Sequence, residues 1–394
     1  MLLILIALSL LFFVSCESSK AGSATNIQTQ QSLFTPAPGS PISIAGGPGN
    51  VVIGDMNNDK KLDLVVASGR SRSISVLLGK GDGQFAAPSG SKMVSIPPGE
   101  IAVGNVNLDG KLDLAVATHD SYGVLLLLGD GKGGFTDAPS SPITMRIGQH
   151  PHTHGLVLAD MNRDNKLDLI TVNSTDNDVS IALGDGRGGF TPMPGSPFAV
   201  GPSPYPFAIG DVNGDGQLDL AATATATGPS RAQQLPLSRA LTLLLSDGRG
   251  GLRSVLLPLH TGEPWFAVIN DLNGDRKPDI VATHHEMSQL TVLLGDGRGG
   301  FVEVSGSPFD FGHQVFHAVT ADVNRDGKSD VVAAAGDGVR VMLGNGRGGF
   351  AAGPASLTGQ GVWRLAVADL NGDGNIDVVT SNSESGSVSV LLGH

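Results

Sequence analysis

The sequence predicts an all-β protein, a seven-bladed β-propeller, and three observations lead to this fold class. The chain of 394 residues contains 56 Gly and 23 Pro but only 5% aromatic residues, a composition typical of short strands and tight turns. One nine-residue acidic motif recurs seven times, with an apolar run on each side of every copy. Successive copies begin 47 to 60 residues apart, which suits one four-stranded blade per repeat.

Each repeat contains four predicted strands. In the first repeat, residues 51–54 form the apolar run before the motif and residues 64–67 the run after it. A third run ends in Leu-Leu-Gly or a similar triplet, and a Gly-Asp-Gly-Arg-Gly-Gly-Phe turn, as at 184–190, leads into a fourth strand. Because such a small sheet is unstable alone, each blade must bury its faces against its neighbours.

The two ends of the propeller sequence predict how the ring closes. The seventh repeat stops after its third strand at His394, whereas residues 33–44 match the fourth-strand segments that begin at Phe135 and Phe190. We therefore expect residues 33–44 to supply the fourth strand of the seventh blade, within a propeller domain that spans 33–394. Such closure removes exposed edge strands.

The N-terminal residues predict an exported protein. Residues 1–16 form an apolar run too short to span a bilayer stably, which is typical of a signal peptide. It ends at Cys16, the chain's one cysteine, in a context similar to a bacterial lipobox. We expect lipidation of Cys16, with an ordinary cleaved signal as the alternative, and a flexible tether over 17–32. The protein would be lipid-anchored in the cell envelope, periplasmic or at the cell surface, and otherwise monomeric.

The net charge excludes one class of partner. At −12, with a pI near 5.2 and no basic stretch, the chain lacks the positive face that a nucleic-acid-binding protein needs. The seven acidic motifs hold 20 of the 37 acidic residues. The charge is therefore concentrated in one repeated feature.

The acidic motifs predict calcium sites. Side-chain oxygens stand at positions 1, 3, 5 and 9 of each motif, and calcium takes six to eight oxygen ligands in flexible geometry. Up to seven bound calcium ions would change the net charge from −12 to about +2. The predicted ligands are Asp55, Asn57, Asp59, Asp63, Asn105, Asn107, Asp109, Asp113, Asp160, Asn162, Asp164, Asp168, Asp211, Asn213, Asp215, Asp219, Asp271, Asn273, Asp275, Asp279, Asp322, Asn324, Asp326, Asp330, Asp369, Asn371, Asp373 and Asp377.

Two other interpretations of these motifs are weaker. An EF-hand requires a bidentate Glu at position 12, where this chain has residues such as Val66 and Ala222. A metal-free acidic turn would crowd up to three carboxylates that repel one another. Motif two begins with Asn105 rather than Asp, so we expect it to be the weakest calcium site.

The motif Asp-Val-Asn-Gly-Asp-Gly-Gln-Leu-Asp at 211–219 resembles the FG-GAP or VCBS repeat family, which includes the integrin α head and many bacterial surface proteins. The resemblance covers residues 33–394. It implies a calcium-binding propeller whose acidic loops stabilise the scaffold. The match is incomplete at 55–63, where Lys60 replaces the motif glycine.

Six residues before each motif, the innermost strand enters near the central channel and presents aromatic rings in five consecutive blades. These rings predict a surface that binds a glycan or protein ligand, although they could instead plug the channel mouth. The predicted ligand-binding residues are His154, Tyr205, Trp265, Phe316, His317, Trp363 and Arg364. A third hypothesis is that the protein has a purely structural role in an assembly of the cell envelope.

Histidines concentrated on the same face predict a second possible function. His119, His152 and His154 could hold zinc or copper, with Asp120 or Glu286 as a base, in a metal-dependent lyase or hydrolase of sugars. The stretch His285-Glu286 begins like a zinc-protease motif but continues differently. An insertion over 224–240 would lie near this face.

Overall fold

The computed structural model describes residues 32–394, apart from 88–90, 149–150, 226–237, 248–250 and 285–286. The predicted signal peptide, Cys16 and the tether up to residue 31 lie outside the described residues. Within the described residues, no helix has the length and apolar character needed to cross a membrane.

The described residues form seven antiparallel sheets, one for each repeat. The chain begins with β1 (Phe34–Pro36) and β2 (Ile42–Ser43). Blade one contains β3 (Pro48–Gly54), β4 (Asp63–Ser68), β5 (Ser73–Leu77) and β6 (Ser91–Met93). Blade two contains β7 (Glu100–Gly104), β8 (Asp113–Ala117), β9 (Gly123–Gly129), β10 (Phe135–Asp137) and β11 (Ile143–Thr144). Blade three contains β12 (Thr153–Ala159), β13 (Asp168–Asn173), β14 (Asp178–Gly184), β15 (Phe190–Pro192) and β16 (Phe198–Ala199).

The remaining four blades repeat this plan. Blade four contains β17 (Ala208–Gly210), β18 (Asp219–Ala222), β19 (Ala240–Ser246) and β20 (Leu252–Pro258). Blade five contains β21 (Pro264–Asn270), β22 (Asp279–His284), β23 (Gln289–Gly295), β24 (Phe301–Glu303) and β25 (Phe309–Asp310). Blade six contains β26 (Val315–Ala321), β27 (Asp330–Ala335), β28 (Gly338–Gly344), β29 (Phe350–Ala352) and β30 (Ser356–Leu357). Blade seven contains β31 (Val362–Ala368), β32 (Asp377–Asn382) and β33 (Ser387–Gly393).

The N-terminal strands complete blade seven, which confirms the predicted ring closure. Phe34 of β1 pairs with Gly393, and Ile42 of β2 pairs with Val388, both on β33. The hydroxyl oxygen of Ser40 between them accepts a hydrogen bond from the amide of Val390 at 2.9 Å. Fourth strands elsewhere make the same bond, for example from the Ile181 amide to Ser196 at 2.9 Å. The fold is therefore the predicted seven-bladed propeller.

The core of the described residues consists of seven apolar clusters, each between two adjacent blades. The cluster between blades seven and one, for example, joins Leu64 and Val66 to Val379 and Val390. Second strands contribute the most deeply buried side chains, and each contributes roughly 1.5–3 kcal/mol of burial free energy. Because each cluster needs two blades, stability requires the closed ring.

The glycine that ends the third strand has a steric cause. A Cβ placed on Gly79 would lie 2.1 Å from the Leu62 carbonyl oxygen, and Gly184 meets the Leu167 carbonyl in the same way at 2.2 Å. In these two blades the residue just before the second strand therefore approaches too closely for a side chain, whereas blade four has Ser246 at the equivalent place. This contact explains the glycine that ends the Leu-Leu-Gly triplet in those blades.

The acidic motifs and the channel entrance lie on opposite faces. Each motif forms the loop between the first and second strands, and the turn between third and fourth strands of the next blade contacts it, as in the 3.1 Å bond from the Gly133 amide to the Met56 carbonyl. We call this side the acidic-loop face. The side where first strands begin and second strands end is the channel-mouth face.

Candidate functional site

Positions 1, 3 and 5 of each acidic loop direct their oxygens at the loop's own backbone. In loop three, the Asp164 amide donates to Oδ1 of Asp160 at 3.1 Å and to Oδ1 of Asn162 at 3.0 Å. The Lys166 amide donates to Oδ1 of Asp164 at 3.0 Å. Three side-chain oxygens are thereby ordered within one short turn.

Position 9 makes a different set of contacts. Asp168 is fully buried, and its Oδ2 accepts the Met161 amide at 2.8 Å while its Oδ1 accepts the Gly184 amide at 2.9 Å. The equivalent carboxylate in every other blade also accepts two amides, one from motif position 2 and one from the end of the third strand. Position 9 therefore joins three parts of each blade, a role that the sequence analysis did not predict.

Burial opposes the charge on these carboxylates. It raises the pKa of Asp168 to about 6, although the two amide bonds act in the opposite direction, and the nearby charges of Asp164 and Asp160 raise the pKa further. The pKa of Asp219 is raised to about 6 for the same reasons. Each position-9 group is thus a buried anion held by neutral donors, which a nearby cation would stabilise.

The donors at positions 1, 3 and 5 fit calcium in their chemistry. They are carboxylate and amide oxygens, which calcium prefers, and backbone carbonyls, water and position 9 would have to complete six to eight ligands. Across the described part of the chain, no three or more His, Cys, Asp or Glu side chains form a group arranged to hold a metal ion. Calcium at the 28 predicted ligands therefore stays a prediction.

On the channel-mouth face, an irregular register at the start of the first strand determines where side chains point. In blade seven, Val362 pairs with Asn382 and Arg364 with Ser381, so Trp363 between them is an extra residue. Blades one, five and six skip Gly49, Trp265 and Phe316 in the same way, and blade three skips Gly155. Such bulges redirect side chains at sheet ends. Trp363 stands six residues before Asp369, the first residue of its acidic motif. In every blade we call this place position −6 and the next place position −5.

The five rings predicted at position −6 lie close together and form an aromatic crescent of His154, Tyr205, Trp265, Phe316 and Trp363. Tyr205 stacks on Trp265 with ring centroids 3.7 Å apart, and His154 stacks on Tyr205 at 4.3 Å. Phe316 and Trp363 form a tilted pair at 4.4 Å. The first three rings cover one another's faces, whereas Trp363 is 43% exposed. Trp363 is therefore the member with the most surface free for a ligand.

Position −5 supplies a polar set that faces the channel. The Arg364 guanidinium donates to Oε1 of Glu100 at 2.5 Å, and the Asn50 amide group donates to Oε2 of the same carboxylate at 2.8 Å. The Arg364 and Glu100 side chains are only 16% and 13% exposed. This charged pair joins blades seven and two through blade one at the channel mouth.

The polar set borders a cavity in the central channel. Its volume is about 440 Å³, and residues from all seven blades line it, with Glu100, Phe266, His317 and Arg364 among the lining residues. Burial lowers the pKa of His317 well below its usual value, and the charge of Arg364 lowers it further. His317 is therefore a neutral hydrogen-bonding group beside the cavity.

Blades one and two carry glycine at position −6, which leaves a gap in the crescent. A Cβ on Gly49 would meet no atom within 4 Å, and one on Gly99 would make only ordinary contacts, including His119 Cδ2 at 3.8 Å. We call this opening the glycine gap. It lies between Trp363 on one side and His119 on the other, above Asn50 and Glu100.

The structure brings together three of the predicted metal-binding histidines. His119 lies with its ring centroid 4.5 Å from that of His154, and the Nε2 atoms of His152 and His154 are hydrogen-bonded at 2.8 Å. Burial, then the neighbouring imidazoles and Arg364, lower the pKa of His154 to about 2. This direct imidazole contact is a packing arrangement of neutral rings. The enzyme alternative stays a prediction; His150, His285, Glu286 and residues 226–237 lie outside the described residues.

Sequence analysis missed Asn50 and Glu100 as site residues. A signal was present, since position −5 holds a different residue type in each blade: Asn50, Glu100, Gly155, Pro206, Phe266, His317 and Arg364. Only the last two were predicted, as hydrogen-bonding groups on the aromatic face. The ion pair across 264 residues of sequence had no local signature.

Comparison with protein families gives one match, to the model described as FG-GAP-like repeat. It matches residues 105–171, 160–222, 271–333 and 322–380, which together make up more than half of the chain. Each match begins at an acidic loop and ends in the second strand of the next blade. None of the curated proteins compared with this chain matches it significantly.

Several solved structures share the fold at low sequence identity. BBS1N, crystallised in complex with ARL6DN, has 12% identity and a TM-score of 0.62, with 92% of this chain and 98% of that chain covered. An Agrocybe aegerita lectin that recognises non-reducing terminal N-acetylglucosamine has 21% identity and a TM-score of 0.55, with 80% of each chain covered. A Lactobacillus plantarum protein has 13% identity and a TM-score of 0.57, with 79% of this chain and 85% of that chain covered. These likenesses establish the fold alone.

Proposed function

Because this chain belongs to the FG-GAP-like repeat family, we propose that it is a binding module that takes a glycan or protein ligand on its channel-mouth face. The observation that carries this proposal is the exposed ring of Trp363 beside the Arg364–Glu100 pair, at the entrance of the 440 Å³ cavity. Ligand sites combine apolar and aromatic surface with a few placed polar groups in cavities of roughly 300–1,000 Å³.

Two similar folds are consistent with this proposal. One is a lectin and another was crystallised with a protein partner, so propellers of this shape accept either kind of ligand. The variation of residues at position −5 supports the channel-mouth face as the binding surface, because a ring with a purely structural role could use the same residue in every blade. Fold likeness by itself does not assign a ligand.

A photo-crosslinking amino acid tests the proposal while the ligand is still unidentified, because it captures whatever molecule touches it. We would place it at position 119, where His119 is exposed and borders the glycine gap without being one of the predicted ligand-binding residues. The matched control is position 302, where Val302 is 73% exposed on the outer strand β24. In cells that make the full-length protein, the 119 probe should give adducts that the 302 probe does not. Identical adducts at both positions, or none at 119, would refute binding at this face.

We also propose that the acidic loops bind calcium, up to seven ions, and that the ions stabilise the blades rather than perform chemistry. Support comes from the ordered oxygens at positions 1, 3 and 5 and from the buried anion at position 9, whose pKa is raised chiefly by burial. A cation that binds only the native state raises its stability by mass action.

Elemental analysis with thermal melting tests the calcium proposal. Full-length protein equilibrated in millimolar calcium should retain several ions per chain and melt at a higher temperature than protein in chelator. Magnesium at the same concentration is the control, because it requires near-ideal octahedral geometry and therefore fits a flexible loop of oxygen ligands poorly. An equal melting temperature with and without chelator would count against calcium in these loops.

Export and a lipid anchor at Cys16 are further proposals, supported by the apolar run over 1–16. Cells fed an alkyne-labelled fatty acid should label the wild-type chain but not the Cys16→Ala variant, with the label in the membrane fraction. Label on both would place the acyl group elsewhere.

We propose a monomeric propeller, which sedimentation in detergent would check.

A further inference from the structure

The glycine gap is the part of the channel-mouth face that best fits a small ligand. Of the seven blades, only blades one and two place glycine at position −6, and the two lie side by side. A Cβ at Gly49 would enter open space. Asn50 and Glu100 follow these two glycines directly in the chain and line the cavity in the channel. The exposed Trp363 occupies position −6 of the adjoining blade seven.

The charge of the polar set restricts what can bind in the gap. Glu100 already holds Arg364 at 2.5 Å, so the pair is neutral as a unit. An anionic ligand on the remaining Arg364 donors would lie beside the Glu100 carboxylate, and a cationic ligand on the remaining Glu100 acceptors would lie beside the Arg364 guanidinium. Because like charges repel at short range, both arrangements are unfavourable. The pair therefore favours a ligand without net charge.

The pair retains hydrogen-bonding capacity for such a ligand. A carboxylate has about four acceptor sites, and the structure shows two of those on Glu100 used, by Arg364 and Asn50. A guanidinium has five N–H donors, and the structure shows one on Arg364 bonded to Glu100. Adjacent free acceptors and donors suit a pair of neighbouring hydroxyl groups, since each hydroxyl both donates and accepts.

We propose that the glycine gap binds a neutral glycosyl unit, with neighbouring hydroxyls on Glu100 and Arg364 and a C–H face of the sugar ring against Trp363. This inference rests on the proposed binding function and names the ligand class of that site. Asn50 positions Glu100 through the 2.8 Å bond to its Oε2. The ligand is therefore uncharged and amphipathic.

The test uses the full-length protein and an array of neutral and acidic oligosaccharides, followed by titration calorimetry with the best neutral one. Glu100→Gln keeps the side-chain shape but removes the charge, and should weaken binding about tenfold or more. Gly49→Trp should abolish binding by filling the gap without altering any proposed contact residue. Val302→Trp adds the same ring on the outer strand β24 and should bind normally.

The outcomes separate this inference from the broader function. Preference for uronic or sialic acids, or unchanged affinity in both Glu100→Gln and Gly49→Trp, would overturn the neutral-glycosyl site. Photo-adducts at position 119 that contain only protein would also overturn it, while leaving the binding function intact. Absence of any 119-specific adduct would refute both proposals. Melting curves of each variant show that loss of binding is not loss of folding.

Discussion

On the acidic-loop face, every blade places the same buried Asp at position 9 with the same two amide partners, whereas on the channel-mouth face position −5 holds seven different residue types. The first pattern is what folding requires of a repeat, because each blade needs the same connection between its strands. The second is what the proposed off-centre site would require, because only some blades would touch its ligand. Repetition around the ring thus marks stability, and departure from it marks the candidate site.

The largest predicted effect is a loss of stability from a substitution on the acidic-loop face. Asp168→Ala should lower the free energy of unfolding by about 2–5 kcal/mol, because it leaves the Met161 and Gly184 amides buried without their acceptor. Asp164→Ala, at exposed position 5 of the same loop, is the control and should lose less than about 1 kcal/mol in chelator. Urea denaturation measures both. Equal losses would mean that position 9 has no special structural role.

The next predicted effect is a pH dependence of stability caused by His154 on the channel-mouth face. The pKa of His154 is lowered to about 2, so the unfolded chain binds this proton near pH 6.5 while the native protein does not. Its contribution to stability is complete above pH 6.5 and is lost as the pH falls toward 2. Between pH 7 and pH 5, wild type should lose about 2 kcal/mol more than His154→Asn.

The control for this pH effect is Val302→Asn, which introduces the same amide on the exposed outer strand β24 without removing a titratable group and should leave the pH dependence of wild type unchanged. Denaturant unfolding at pH 5, 6 and 7 supplies the comparison. If His154→Asn follows the wild-type curve, the imidazole at position 154 titrates normally in the folded protein.

A third prediction sharpens the comparison within the acidic-loop face. Loop two alone begins with Asn105, so Asn105→Asp makes it match the other six. If calcium fills the loops, this change should raise stability by about 1 kcal/mol in millimolar calcium and slightly lower it in chelator, where the added charge only repels. Thermal melts under both conditions decide the matter. Stabilisation without calcium would contradict a metal role.

The smallest predicted effect on stability is at the centre of the proposed site. Trp363→Ala should change the free energy of unfolding by less than about 1 kcal/mol, because 43% of the residue is already exposed. Leu365→Ala, two residues along the same strand and buried, should lose about 2–5 kcal/mol. Only the first should lose ligand binding. A large stability loss at Trp363 would favour the channel-plug interpretation.

The fold was predictable from the sequence because its signals are local and repeated. Strand runs, acidic loops and the match between residues 33–44 and other fourth strands each lie within a few tens of residues. The amide contacts of Asp168 were not predictable, because a carboxylate at this position suits a metal as well as backbone amides. The structure adds the Gly184 amide as its partner.

The candidate site was predictable only in part. The aromatic residues stood out by their rarity. The contacts among them depend on bulges at the starts of the first strands, which the sequence does not predict. Mutual stacking of Tyr205 and Trp265 leaves Trp363 as the exposed ring. The partnership of Glu100 with Arg364 depends on closure of the ring, which brings blade seven beside blades one and two.

Ring closure also sets the timing of folding. Phe34 pairs with Gly393, so blade seven cannot be completed until β33 has been synthesised. Contacts between such distant residues form slowly, because the entropy of closing a long loop is lost before they form. Strand β1 therefore waits for β33 before it can pair. A propeller that closes only after its last blade has been made stays incompletely folded during synthesis, which suits the export proposed for it.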